Sequence, residues 1–321
     1  MDKRIVVTRT VPESALEVLR QVGDVHVCPQ DRPLTAPELR EAVRGAHAIV
    51  AMLHDRIDAD LVAAAGPQLQ VVANVAVGYD NIDVPAVTGR GVIVANTPGV
   101  LVDATADLAI GLLLMVTRRL GEGERLLRAR QPWTFHLGFM VGTGLQGKTL
   151  GIVGLGDIGQ AVARRARAFG MSVAYTGRRR AAAEVEAELD ARFLPQDELL
   201  RTADVVSLHC PLTEQTRHLI DEAALAAMKP TAFLINTSRG PVVDERALAK
   251  ALQEGQIGGA ALDVFEREPE VEPALLDLDN VVVVPHLGSA TTETRTAMAE
   301  LAARNVAAVL TGAEPPTQVR P

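Results

Sequence analysis

Cysteine is nearly absent from this chain: 321 residues contain two, Cys28 and Cys210, with no Cys-x-x-Cys pair. Thiols so distant in sequence are expected to stay reduced, which excludes a disulfide-stapled scaffold and a cysteine-built metal centre. No His-Glu-x-x-His is present either, so a metal-free protein is predicted. Basic charge is in the minority, 32 Lys and Arg against 40 Asp and Glu for a net −8, and this argues against a nucleic-acid partner. The cluster Arg164, Arg165 and Arg167 reads as the solvent face of one helix. Long hydrophobic runs are missing too. The longest, around Leu108–Val116, is too short to cross a bilayer, and an apolar strand begins within a few residues of Met1. No membrane partner is expected, and the location read from these features is cytoplasmic.

What is present is enough length for two full cores and a repeated alternation of strand and helix patterns. Apolar strands at Ile5–Val7, Val25–Val27, Ala48–Leu53, Val71–Val75 and Val92–Ala95 alternate with helical stretches such as Pro12–Val22 and Asp58–Ala65. A second series starts at Thr149 and continues at Ser172–Thr176, Val205–Leu208, Ala232–Asn236, Gly259–Leu262 and Val281–Val284. This predicts an α/β protein of two doubly wound parallel-sheet domains, Rossmann- or flavodoxin-like, with a cleft between them. A strongly apolar helix, Val102–Thr117, joins the two series, and a last helix, roughly Thr292–Leu310, is expected to return to the first. Residues 1–100 plus 290–321 would then form a discontinuous substrate domain. Residues 101–289 would form the dinucleotide-binding domain and carry an arm at about 118–147.

The most specific local pattern is Thr149-Leu-Gly-Ile-Val-Gly154-Leu-Gly156-Asp-Ile-Gly159. A buried strand runs into Gly-x-Gly-x-x-Gly and then into a helix patterned by Ala161, Val162 and Ala166, the context in which a dinucleotide diphosphate sits at a helix N-terminus. An NAD enzyme places an acid near the end of the next strand for the ribose hydroxyl. Here that strand ends Thr176-Gly177-Arg178-Arg179-Arg180. Guanidinium groups suit a 2′-phosphate, so NADP(H) is favoured over NAD(H); the plain alternative is a solvated turn.

Three more segments end strands of the second series: Asn236-Thr-Ser-Arg239-Gly240, Asp263-Val-Phe-Glu-Arg-Glu268-Pro269 and Pro285-His286-Leu-Gly288-Ser289. Singly, each is an ordinary surface charge or strand cap. Together they put a cation, a carboxylate and an imidazole at strand C-termini, where ligands of open α/β sheets bind.

With these motifs, Val75-Ala-Val-Gly78-Tyr-Asp-Asn-Ile-Asp83 and His209-Cys210-Pro211-Leu-Thr-Glu-Gln-Thr216, the chain resembles the D-isomer-specific 2-hydroxyacid dehydrogenases, and within them the glyoxylate/hydroxypyruvate reductases. The resemblance implies Arg239, Glu268 and His286 as catalytic residues, and Leu53, Val75, Ala76, Val77, Gly78, Arg239 and His286 at the substrate. It implies cofactor contacts at Thr105, Gly154, Leu155, Gly156, Asp157, Ile158, Gly177, Arg178, Arg179, Cys210, Pro211, Thr216, Thr237, Ser238, Arg239, Asp263, His286 and Gly288. His286 would donate the proton as hydride reaches a 2-oxo acid, Glu268 would stabilise its imidazolium, and Arg239 would clamp carboxylate and carbonyl oxygens. Glutamate rather than glutamine beside the histidine disfavours a formate dehydrogenase. A reductase of larger 2-oxo acids, of 2-ketogluconate type, or a short phosphoglycerate-type dehydrogenase stays open, and so does a dinucleotide-sensing corepressor relative. The aromatic cluster Trp133, Phe135 and Phe139 suits an interface arm, and a homodimer is expected.

Overall fold

Runs of Val, Ile, Leu and Ala without polar alternation form most of the strands, the pattern of parallel sheets covered on both faces. The computed structural model describes residues 3–30 and 32–320. It divides into Met1–Leu101 with Ala290–Pro321, the discontinuous unit, and Val102–Ser289, the continuous one.

The discontinuous unit begins β1 (Arg4–Val7), α1 (Glu13–Arg20), β2 (Asp24–Val27), α2 (Ala36–Ala42), β3 (Ala48–Ala51), α3 (Ala59–Ala65), β4 (Val71–Asn74), α4 (Val84–Thr88) and β5 (Ile93–Ala95). Its sheet is parallel in the order β2-β1-β3-β4-β5. Strand β3 ends at Ala51, short of the expected Leu53, because the Asp55 carboxylate accepts the Met52 N–H at 2.8 Å and turns the chain out of the sheet.

The continuous unit runs α5 (Val102–Thr117), α6 (Leu120–Arg128), β6 (Thr149–Val153), α7 (Asp157–Ala168), β7 (Ser172–Thr176), α8 (Ala183–Leu189), β8 (Ala191–Phe193), α9 (Gln196–Thr202) and β9 (Val205–Leu208). It continues with α10 (Glu222–Ala227), β10 (Phe233–Asn236), α11 (Glu245–Gln253), β11 (Gly259–Leu262), α12 (Pro273–Leu276) and β12 (Val281–Val283). All its strands pair in parallel, in the order β12-β11-β10-β9-β6-β7-β8. Helix α5 is apolar on almost every side and lies against α7, β10 and β11, with Ala106, Ala109, Leu112 and Leu113 in the core. Edge strand β8 has no counterpart in the sequence reading, since Ala-Arg-Phe is too short to show a period. Helix α8 begins at Ala183, and the Ala181 N–H before it donates to the Tyr175 hydroxyl at 2.8 Å.

The last helix, α13 (Thr292–Leu310), is capped by the Thr291 hydroxyl and belongs to the discontinuous unit. Its Ala299, Ala302, Ala303, Val306 and Leu310 share a core with Ile5 and Val7 of β1, Val50 of β3 and Val71 of β4. Buried Asn305 then anchors the following segment through both its amide groups to Thr317, and Gln318 bridges to Ala95.

Candidate active site

Strand order reverses between β6 and β9 of the continuous unit, and such a switch point opens a crevice at the strand C-termini. The glycine turn lies there. At Gly154 φ is +95° and a Cβ would lie 2.8 Å from the Cys210 nitrogen, so this position admits only glycine. Gly156 differs: it starts α7 without any side-chain cap, and a Cβ there would meet nothing within 4 Å. The first-turn N–H groups of α7, at residues 157–159, have no acceptor among the described residues, as befits an anion site at a helix start. Close by in sequence to the adjacent strand ends, Thr237 Oγ1 and His209 Nδ1 are buried without hydrogen-bond partners among the described residues. Burial pushes the His209 imidazole down to about 4 and the Cys210 thiol up to about 11, so both are neutral at ordinary pH. An open glycine cradle, an uncapped helix and an orphaned threonine hydroxyl fit a dinucleotide.

At the end of β7, residues 177–180 are exposed. Arg180 forks onto Glu186 with two bonds of 2.8 Å. Arg178 and Arg179 make no ion pair among the described residues.

Strands β10, β11 and β12 are adjacent and in register, Asn236 opposite Leu262 and Leu262 opposite Val283, so the segments that follow them leave the same sheet edge. After β10, the Asn236 amide accepts from Ser238 N–H and Oγ (3.0 and 2.9 Å) and donates to the Arg239 carbonyl (3.0 Å), fixing the turn that presents Arg239. After β12, His286 adopts φ +55°, in the left-handed region that a histidine enters only when surroundings hold it there. Asp263, 1% exposed, does the holding. Its carbonyl accepts the His286 N–H at 2.9 Å, and its carboxylate accepts the N–H groups of Leu287 and of Gly288, the latter at 2.9 Å. Burial pushes the Asp263 carboxyl above its usual range. Glu268, after β11, puts Oε2 2.8 Å from His286 Nδ1 and accepts the Phe265 N–H on Oε1 at 3.1 Å. With Nδ1 engaged, Nε2 is the imidazole nitrogen left for chemistry.

Residues 110–288 match the family model of the D-isomer specific 2-hydroxyacid dehydrogenase NAD-binding domain. A glyoxylate reductase of Thermococcus onnurineus is 49% identical over 99% of this chain and 96% of its own. The chain belongs to this dehydrogenase family. Two solved members share the fold. A glyoxylate reductase from Paecilomyes thermophila has a TM-score of 0.90 at 34% identity, covering 99% of this chain and 98% of that one. An NADPH-dependent glyoxylate/hydroxypyruvate reductase from Sinorhizobium meliloti, in complex with NADP and malonate, has 0.86 at 37%, covering 99% and 97%. The present dehydrogenase is thus an NAD(P)-dependent oxidoreductase.

Other expected site residues of the dehydrogenase have structural partners of their own. The Thr105 hydroxyl donates to the Gly288 carbonyl at 3.2 Å, and the Thr216 hydroxyl closes its own turn onto the Pro211 carbonyl at 2.7 Å. Arg165 is not merely solvent-facing: it spans α7 and α5, bonding Asp107 at 2.6 Å and Asp103 at 2.9 Å. In the discontinuous unit, the Val75–Gly78 segment is pinned by its carbonyls. Ala76 O accepts the Thr97 N–H (2.9 Å), Val77 O the Asn96 amide (2.8 Å) and Gly78 O the Asn74 amide (2.9 Å). The N–H groups of Val77 and Gly78 have no acceptor among the described residues, which leaves them for an anion. Asn81, part of the 75–83 motif but given no role there, bonds the Asn74 side chain and the carbonyls of Met52 and Asp55, and so joins this segment to the one bearing Leu53. Asn74 ends strand β4 as a buried polar residue, and Asn81 is half-buried in the motif; what each amide bonds is set by the fold.

Proposed function

We propose that this dehydrogenase is an NADPH-preferring reductase of small 2-oxo acids, glyoxylate and hydroxypyruvate, to their 2-hydroxy acids. The carrying observation is the 2.8 Å His286–Glu268 pair held at the same sheet edge as Arg239, supported by the glyoxylate reductases it resembles. Gly154–Ile158 would hold the diphosphate, Thr237 the neighbouring cofactor atoms, and Arg178 and Arg179 a 2′-phosphate. When bound, the nicotinamide supplies the hydride.

The chain's own residues supply charge and position. His286 holds a proton at Nε2 and delivers it to the carbonyl oxygen as negative charge develops there, while Glu268 at Nδ1 fixes the ring orientation and stabilises its cationic form. Arg239 presents a planar fork to the substrate's oxygens. The N–H groups of Val77 and Gly78, in the discontinuous unit, would serve to bind a carboxylate.

The Arg178→Ala/Arg179→Ala double variant tests both substrate and cofactor. With glyoxylate and hydroxypyruvate, its KM for NADPH is expected to rise by about 10- to 100-fold, the loss of one or two charge-assisted bonds. Its kcat and its use of NADH should not change. Wild-type preference for NADH would reduce the arginines to a solvated turn, and no turnover of either acid would refute the substrate assignment.

A homodimer in the cytoplasm completes the proposal. Leu120 and Leu127 on α6 and Trp133, Phe135, Leu137 and Val141 beyond it are all exposed, Leu137 to 94%, and exposed apolar groups so concentrated mark an interface. Sedimentation at micromolar concentration should give twice the 34.1 kDa chain mass; a monomer there would rule the dimer out.

A further inference from the structure

Glu268 sits on a turn, Arg267–Glu270, that is closed by the Glu270 N–H to the Arg267 carbonyl at 2.9 Å and belongs to no helix or strand. Its neighbours Arg267, Pro269 and Glu270 are exposed, so core packing does not fix the turn. Yet its carboxylate meets His286 at 2.8 Å. Beside its own bond to the Phe265 N–H, that distance depends on where the segment carrying Glu268 is held.

The restraint lies beneath the turn. Glu245, the first residue of α11, is 5% exposed. Its Oε1 accepts the Glu266 N–H at 2.5 Å. This carboxylate therefore fixes the start of the segment carrying Glu268. No ion pair offsets its burial among the described residues, and the carboxylates of Glu266 and Glu272 act on it with the same sign of charge. Burying such a group is costly without partners, so its place here is explained by the Glu266 amide and not by charge pairing. The same segment is tied to the Arg239 turn. His218 Nε2 lies 2.5 Å from Glu266 Oε1 while its own N–H donates to the Pro241 carbonyl at 2.8 Å. At Gly240 a Cβ would fall 1.8 Å from the Phe265 carbonyl carbon, so the two backbones are in direct contact.

We propose that Glu245 is a positioning residue for this dehydrogenase: by holding the Glu266 amide it keeps Glu268 against His286 and sets both relative to the Arg239 turn. It touches neither substrate nor cofactor. The inference rests on the roles given to His286 and Glu268 above.

The test is a set of variants of the full chain: Glu245→Ala, Glu245→Gln and Glu245→Asp, each alone and on a Glu268→Gln background, assayed with glyoxylate and NADPH. Because misplacement of about 1 Å costs on the order of 100-fold, Glu245→Ala should lower kcat by about 10- to 100-fold with cofactor KM unchanged. Glu245→Gln, which keeps one acceptor oxygen, should recover most of the loss. On the Glu268→Gln background the alanine change should cost little more, since the group being positioned is already gone. Equal losses in both backgrounds, or a lowered melting temperature with kcat intact, would overturn the proposal. Should the alanine variant fail to fold, Glu245→Asp, with its charge kept and its reach shortened, takes its place and must show the same background dependence. Amide exchange across 265–272 in the free protein separates this inference from the substrate assignment. Faster exchange confined to that segment in the alanine variant supports the clasp even if glyoxylate is not reduced, and unchanged exchange refutes it.

Discussion

His286→Asn is expected to lower kcat for glyoxylate reduction by about 10²- to 10⁴-fold, the usual contribution of a positioned general acid. Asparagine is the informative replacement. It tolerates the left-handed backbone at φ +55° better than other non-glycine residues, so the strand-end geometry and the 2.9 Å bond to the Asp263 carbonyl are preserved. The lost function is then proton delivery and not loop conformation. Cofactor Kd, measured by fluorescence titration, should stay near the wild-type value, and steady-state kinetics should show the whole loss in kcat. A fall of less than about tenfold would assign the proton to another group.

The second large effect is expected from Arg239→Lys. Lysine keeps the positive charge but replaces a planar fork by a point charge on a flexible stem. If Arg239 clamps the substrate and meets the charge developing on its carbonyl oxygen, kcat/KM for glyoxylate should fall by about 10²- to 10³-fold, with part of the loss in substrate KM. The surrounding turn should survive, because Asn236 binds backbone atoms of Ser238 and Arg239 and not the guanidinium. Near-normal kinetics would mean that charge alone suffices, and the proposed two-point clamp would be wrong.

Much of this site is legible in sequence because its parts are local. The glycine turn is a strand, three glycines and a helix in one continuous segment, and Arg239, Glu268 and His286 each follow an apolar run whose end marks a sheet edge. The supporting residues are harder to find, since their partners are remote in sequence. Glu245 meets Glu266 21 residues on, and His218 meets it across 48. Asp244 and Glu245 look like an ordinary acidic helix start, and Asp244 does cap α11. A signal for Glu245 does exist. It shares the i, i+3, i+4, i+7 stripe of Leu248, Ala249 and Leu252, all buried, and so places a carboxylate on an apolar face. Thr105 and Thr216 show the converse limit, because a motif gives residue type and position but not the hydrogen bond each hydroxyl already makes.

The return of α13 to the first sheet sets an order on biosynthesis. Strands β1, β3 and β4 emerge from the ribosome early, but the alanine-rich face that seals them, Ala299 to Leu310, is translated after the whole of Val102–Ser289. Domains generally fold as units and N-terminal first during synthesis; here the later-encoded continuous unit holds all the residues of its own core and can close while the earlier one still exposes apolar strand surface. The core around β1, β3 and β4 therefore lacks its α13 side until that helix, encoded after the whole continuous unit, has been made.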